Sequence, residues 1–299
     1  MSEENRGMLA AAVAYTIFGL SYLFSKMALD VAEPMILLCA RFSVTLIALN
    51  LLVAARVLKL NLRGKRLGAP ILLGILQPVL YFVLENYGLK YTTTSFTGMV
   101  SSVSPVFTAV LGAVLLRERP NAKQWLYIAV TIAGVLLVSM GAGGGQNTFL
   151  GCLCLLAAYF SGAFYVILVR RLSKDYSPFE LTYVMFTVGF VFFAALAVIQ
   201  YRGGTLAALG AALSRPRFVA ATLYLGILAS VGAYLLSNYS LSRLPVARST
   251  IFTSLSTVVS VLSGVVVMHD RFSWVSFVAF ALILSGVWGV NHFAAREAA

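Results

Sequence analysis

Gln77, Tyr81 and Glu85 stand four residues apart, the spacing that stacks side chains on one face of a helix. Asn86 adjoins them, and Pro78 is placed to kink the same apolar stretch. A later stretch answers with Ser230, Tyr234, Ser237 and Asn238. Amides and phenols of this kind hydrogen-bond an ammonium or a carboxylate, and their rings stack on an apolar side chain. Two further polar stripes run in steps of three or four: Thr94, Thr97, Ser101, Ser104 and Thr108, then Ser249, Thr253, Ser256 and Ser260. Pro105 lies within the first and is expected to free a backbone carbonyl. Tyr15, Phe18 and Tyr22 on one segment, with Tyr159 and Tyr165 on another, are candidate walls for the same space. Each type also has a plainer use. Ser and Thr pack where membrane helices meet, and Tyr87 and Tyr239, near segment ends, suit an interfacial belt.

Ionisable groups inside apolar segments are costly, and they mark function by default. Arg41 and Glu85 are the two. Arg41 is placed to bind a carboxylate or to pair with Glu85, whereas Lys26, Arg170 and Arg248 lie near enough to segment ends to snorkel. Glu118 and Asp270, each followed by Arg, are expected to fix turns. Bond-making chemistry finds little support. His269 and His292 are the two histidines, both near ends, and no HExxH or GxSxG occurs. Cys39, Cys152 and Cys154 all fall in apolar segments, and they fit neither a disulfide framework nor a metal set. The expectation is recognition without catalysis, cofactor or metal.

The elements that must hold these residues follow from composition. The 299 residues are 60% hydrophobic and 11% charged, with mean hydropathy +0.91, far from the roughly 25% charged of a soluble domain. Ten stretches approach the ~20 residues that a spanning helix needs: 7–29, 34–58, 68–90, 94–116, 124–141, 149–172, 178–201, 218–241, 246–268 and 274–293. The first is too long for a cleaved signal. Net charge +12 would suit nucleic acid, but the charges cluster between apolar runs, as membrane orientation requires. Connections are short except Arg202–Arg217, and the one flexible linker, Gly141–Gly145, falls at the middle.

That midpoint suggests a repeat. At an offset of 144, Gly7 meets Gly151, Tyr15 meets Tyr159, Lys26 meets Arg170 and Pro34 meets Pro178. Beyond the long loop the offset becomes 152. Gly74 then meets Gly226, Asn86-Tyr87 meets Asn238-Tyr239, Glu118-Arg119 meets Asp270-Arg271, and Gly134 meets Gly286. Five helices per copy make the second copy inverted. With the N-terminus inside, fifteen of the 22 basic residues fall on inner segments and six on outer ones, Arg41 being within a span. This bias predicts both termini in the cytoplasm. The fold expected is all-α and polytopic: ten transmembrane helices as two inverted five-helix repeats, 1–142 and 149–294.

Phe18-Gly19 through Lys26, Arg41-Phe42, Leu115–Arg119 and Gly134–Val138, with His269–Arg271 and Gly286-Val287 in the second copy, resemble the drug/metabolite transporter superfamily, EamA type. The resemblance covers nearly the whole chain and extends in overall pattern to bacterial exporters of aromatic amino acids. It implies export of small metabolites, amino acids above all, across the bacterial inner membrane. Its partners are a small-molecule substrate and the lipid bilayer, with no nucleic acid and a monomer as the assembly. The runners-up are a drug or nucleotide-sugar carrier, for which one buried Arg offers too little positive charge, and an intramembrane enzyme. The substrate-binding residues expected are Tyr15, Tyr22, Arg41, Gln77, Tyr81, Glu85, Asn86, Ser101, Ser104, Tyr159, Tyr165, Tyr234, Asn238, Thr253 and Ser256. Transport is expected to be facilitative, because Glu85 lies towards one end of its helix rather than where a proton carrier would sit.

Overall fold

A computed structural model describes residues 3–115, 121–140, 147–244 and 252–297, with backbone alone at 291 and 294–297. The described elements are helical. Eight stretches are long and apolar enough to cross a membrane: Glu3–Leu29, Pro34–Ala54, Gly68–Lys90, Thr94–Leu115, Ala122–Met140, Phe149–Leu172, Pro178–Tyr201 and Pro216–Arg243. Two shorter apolar helices, Thr253–Val267 and Trp274–Val290, follow. We number the helices α1 (Glu3–Leu29), α2 (Pro34–Ala54), α3 (Gly68–Gly74), α4 (Tyr81–Lys90), α5 (Thr94–Ser101), α6 (Ser104–Leu115), α7 (Ala122–Met140), α8 (Phe149–Leu172), α9 (Pro178–Tyr201), α10 (Thr205–Leu213), α11 (Pro216–Leu223), α12 (Tyr234–Arg243), α13 (Thr253–Val267) and α14 (Trp274–Glu297). The long connection after α9 is thus no open loop, for it holds α10. The linker Gly141–Gly145, the Glu118-Arg119 turn, Arg248 and Ser249 lie outside the described residues.

Side chains such as Leu51, Val114, Leu126, Val191, Ile199, Leu262 and Val266 are exposed on the outside of the bundle. Serine, threonine, asparagine and tyrosine are buried in its middle. This is the reverse of a soluble protein's arrangement, and hydrocarbon is the solvent it suits.

Local chemistry sets several helix ends and breaks. α9 starts with Pro178 after Ser177, whose hydroxyl accepts from the Glu180 amide while the Glu180 carboxylate accepts from the Ser177 amide, a capping box. Lys65 then holds Glu180 at 2.7 Å and ties the α2–α3 connection to that end. Between α3 and α4 the chain runs through a π turn, Ile75–Leu80, and Gln77 leaves the helical region altogether at φ −147, ψ 107. Pro78 forces this, since a residue before proline is pushed towards extended backbone. The Ser161 hydroxyl donates to the Leu76 carbonyl at 2.9 Å and so supplies a donor at the break. A second π stretch, Tyr224–Ala233, joins α11 to α12 without any proline, and here the Thr45 hydroxyl donates to the Gly226 carbonyl at 3.1 Å. Pro105 cannot donate to the Ser101 carbonyl, which accepts the Ser104 hydroxyl at 2.8 Å, and α5 is separated from α6 there.

Contacts recur in pairs at the two sequence offsets. Gly7 packs on Leu244, and Gly151 on Thr92. Gly74 meets Met185 and Val188, and Gly226 meets Arg41 and Val44. In the close pair α7–α14, Gly134 meets Ala279 and Ile283, and Gly286 meets Tyr127 and Thr131. Lys26 donates to the Leu89 carbonyl at 2.9 Å, and Arg170 donates to the Leu241 carbonyl at 2.9 Å. Moving each residue of the first contact to its mate in the other half, 144 or 152 positions away, yields the second.

Candidate functional site

A cavity of about 110 Å³ is bordered by α1, α2, α4, α5, α6, α8, α12 and α13 and by the π turn before α4. Twelve of the fifteen expected residues line it: Tyr15, Tyr22, Arg41, Gln77, Tyr81, Glu85, Ser101, Ser104, Tyr165, Tyr234, Thr253 and Ser256. Three stand behind the wall. Tyr159 donates to the Thr97 carbonyl at 3.3 Å and lies within hydrogen-bonding reach of Tyr22. Asn238 accepts the Tyr165 hydroxyl at 2.6 Å and donates to Thr182 at 2.9 Å, holding Tyr165 in place. Asn86 donates to the Phe82 carbonyl at 2.9 Å.

The breaks place the polar groups. Because Gln77 leaves the helix at the π turn, its amide reaches across and donates to the Tyr234 hydroxyl. Tyr234 is the hub of the aromatic wall. The rings of Phe18 and Phe186 meet it edge-on at 5.0 and 5.2 Å, with Tyr165 at 6.0 Å and Phe82 at 6.3 Å, arrangements that ring quadrupoles favour. Opposite them Tyr22 stands within reach of Ser101 and Tyr81.

Among the described residues that line this space, two are charged. Arg41 is 2% exposed; its Nε donates to Ser230 at 2.9 Å, and its guanidinium carbon sits 4.2 Å from the centre of the Phe82 ring. Glu85 is 5% exposed and stands within reach of the Tyr81 hydroxyl. They are close enough to feel one another's charge. Among the described ion pairs, however, none joins them, although pairing was one of the two roles foreseen for Arg41. At the repeat offsets their mates are the uncharged Met185 and Ser237, so both charges come from one half of the chain.

The polar stripes divide between the two uses foreseen for them. Ser101, Ser104, Thr108, Thr253 and Ser256 border the cavity. Thr94, Thr97 and Ser260 do not: the Ser260 hydroxyl donates to the Thr94 carbonyl at 3.0 Å, and the Thr97 hydroxyl to the Thr93 carbonyl at 2.9 Å. The first group faces open space, whereas the second is tied into the bundle, Ser260 to α5 and the Thr97 carbonyl to Tyr159 of α8.

Ser21, Phe82, Gly162, Ala163 and Val166 also line the cavity and escaped the sequence reading. Small and apolar side chains give no polar periodicity to notice. Gly162 matters for the room it leaves, since a Cβ there would lie 3.3 Å from the Tyr81 ring. Ser21 had a signal in the alignment of the halves, because its mate at offset 144 is Tyr165.

Comparison with known proteins gives a consistent result. The model of the EamA-like transporter family matches residues 5–140 and again 149–292. An uncharacterized transporter of Bacillus subtilis (strain 168), YcxC, is 33% identical over 94% of this chain and 91% of its own length. A "probable amino-acid metabolite efflux pump" of Escherichia coli (strain K12) is 26% identical over 97% and 95%. A "probable terminal-alkyne amino-acid exporter" of Streptantibioticus cattleyicolor is 28% identical over 71% and 68%. One crystal structure shares the fold at TM-score 0.65 and 19% identity, covering 95% of this chain and 98% of its own.

Proposed function

Since this chain belongs to the EamA-like transporter family, we propose that the small molecule it carries is an amino acid, aromatic or large and neutral, exported from the bacterial cytoplasm. One observation carries the reading: a buried cation and a buried anion line one cavity without forming an ion pair. Buried charges without a counter-charge in contact are costly. A zwitterion answers both, its carboxylate on Arg41 and its ammonium on Glu85, and it brings no net charge. The remaining wall, Phe18, Tyr165, Val166 and Tyr234, suits an apolar or aromatic side chain. A room of about 110 Å³ is near the ~150 Å³ of an engineered cavity that takes benzene, which fits one ring better than a nucleotide. A single arginine is also too little for a diphosphate. The names of the two distant relatives above point the same way.

The mechanism proposed is alternating access by two inverted five-helix repeats, 1–142 and 149–294, around a site between them. The contacts repeated at offsets 144 and 152 and the double match of the family model support this division. Ten spans, an odd five per repeat and the distribution of Lys and Arg support both termini in the cytoplasm of a bacterial inner membrane. No ion coupling is needed, so export runs down the substrate gradient.

Efflux of a labelled amino-acid panel from proteoliposomes, with and without a proton gradient, tests this. We expect phenylalanine and large neutral amino acids to leave at rates independent of the gradient, and Tyr81→Ala and Arg41→Ala to abolish efflux. Efflux of none of the panel overturns the substrate class, and efflux that needs the gradient overturns the facilitative mechanism.

A further inference from the structure

Asn86 is 1% exposed, yet half of its amide is unsatisfied. Its Nδ2 donates to the Phe82 carbonyl, which fixes the other end as oxygen, and that Oδ1 has no partner. A buried acceptor without a donor costs about 1–3 kcal/mol, and folded proteins keep few of them.

The mate of Asn86 at offset 152 is Asn238, equally buried, with both ends engaged by Tyr165 and Thr182. The mates of those two partners are Ser21 and Leu38. Leu38 offers no hydroxyl, and Ser21 lacks the length of a tyrosine. Ser21 borders the cavity, and its hydroxyl is spent on the Phe18 carbonyl at 2.7 Å. In one half, therefore, a phenol satisfies the asparagine. In the other, the residue at the phenol's place is a short one against open cavity. Glu85, next in sequence to Asn86, is the acid among the described residues lining that cavity.

We infer that Asn86 Oδ1 is a recognition acceptor for the substrate's amino group. The group enters beside Ser21, where the other half carries Tyr165, and shares its donors between Asn86 and Glu85. An ammonium has three diverging donors and no acceptor, so it can answer two acceptors that leave neighbouring positions of one helix about 100° apart. The inference rests on the amino-acid reading above and adds a residue and an atom to it.

Three probes separate the poles: L-phenylalanine, 2-phenylethylamine without the carboxylate, and 3-phenylpropionate without the amine. Binding of each to the purified chain in detergent is titrated for wild type and Asn86→Leu, with Asn86→Ala as a second variant and thermal unfolding as the check on folding. The expected result is about tenfold or greater weakening for the two amines, no change for 3-phenylpropionate, and an unfolding midpoint no lower than wild type for Asn86→Leu. Unchanged binding of all three overturns the inference, because the orphan oxygen is then an internal matter. Equal weakening of all three also overturns it, because Asn86 then only shapes the cavity. A wild type that binds none of the three fails the amino-acid reading itself, and the inference with it.

Discussion

Arg41 and Asn238 make opposite experiments of a buried polar side chain. Arg41 is charged where its mate at offset 144 is Met185, and among the described hydrogen bonds it makes one, to Ser230. Arg41→Met therefore swaps in a residue that the same fold already accommodates at the mate. We expect phenylalanine efflux to weaken roughly 10- to 100-fold, the worth of a charge-assisted hydrogen bond, with little loss of stability. Parallel KM values for phenylalanine and phenylethylamine check it, and only the first should rise. Asn238 is instead fully engaged, so Asn238→Leu strands the Tyr165 hydroxyl and frees Thr182. We expect a loss of about 1–3 kcal/mol, read as a lower unfolding midpoint in detergent. Arg41, Ser230, Tyr165 and Asn238 were legible in the sequence, because polar groups in apolar runs stand out and helical spacing sorts them by face, whereas Thr182 was not. The sequence could not tell the lining from the backing. Asn86 and Asn238 look alike on paper, and their difference depends on what stands 65 and 73 positions away, Ser21 for the one and Tyr165 for the other.

Proline is legible and glycine is less so, and the two broken spans show why. Pro78 announced a kink, and the structure gives its consequence: an extended Gln77 whose amide reaches Tyr234. The matching stretch Tyr224–Ala233 winds as a π turn with no proline, and nothing local in the sequence marks it. It is stabilised from outside by the Thr45 hydroxyl on the Gly226 carbonyl and by Val44 against Gly226. Pro78→Ala restores a donor and removes the clash that holds Gln77 extended. The helix is then expected to close through residue 77 and carry the amide away from Tyr234. Efflux should fall at least tenfold while the unfolding midpoint holds or rises. Unchanged efflux would show that the break is incidental to the site.

Across the whole molecule the same pair of helical stretches serves two purposes at its two ends. At one end α5 and α13 are sealed. The Asp270 carboxylate accepts the Ser95 amide at 2.8 Å, Ser260 donates to the Thr94 carbonyl, and Lys26 closes over the carbonyls of Leu89 and Thr92. At the other end Ser104 and Thr108 on α6 and Thr253 and Ser256 at the start of α13 part to border the cavity. Under the alternating access proposed above, substrate reaches the site past the lining end, and passage requires the sealed end to separate. The Ser102 and Thr257 hydroxyls face each other at 2.5 Å between seal and cavity, a place where two thiols would meet. In a background with Cys39, Cys152 and Cys154 replaced by Ala, Ser102→Cys with Thr257→Cys should cross-link on oxidation. The oxidised chain should lose efflux and regain it on reduction, while each single variant transports throughout. Substrate titrated onto the oxidised chain should still bind, because the lining end is left free. Binding without passage is what separates a locked seal from a damaged site, and full efflux with the bond in place would mean that α5 and α13 move as one body and that access changes elsewhere.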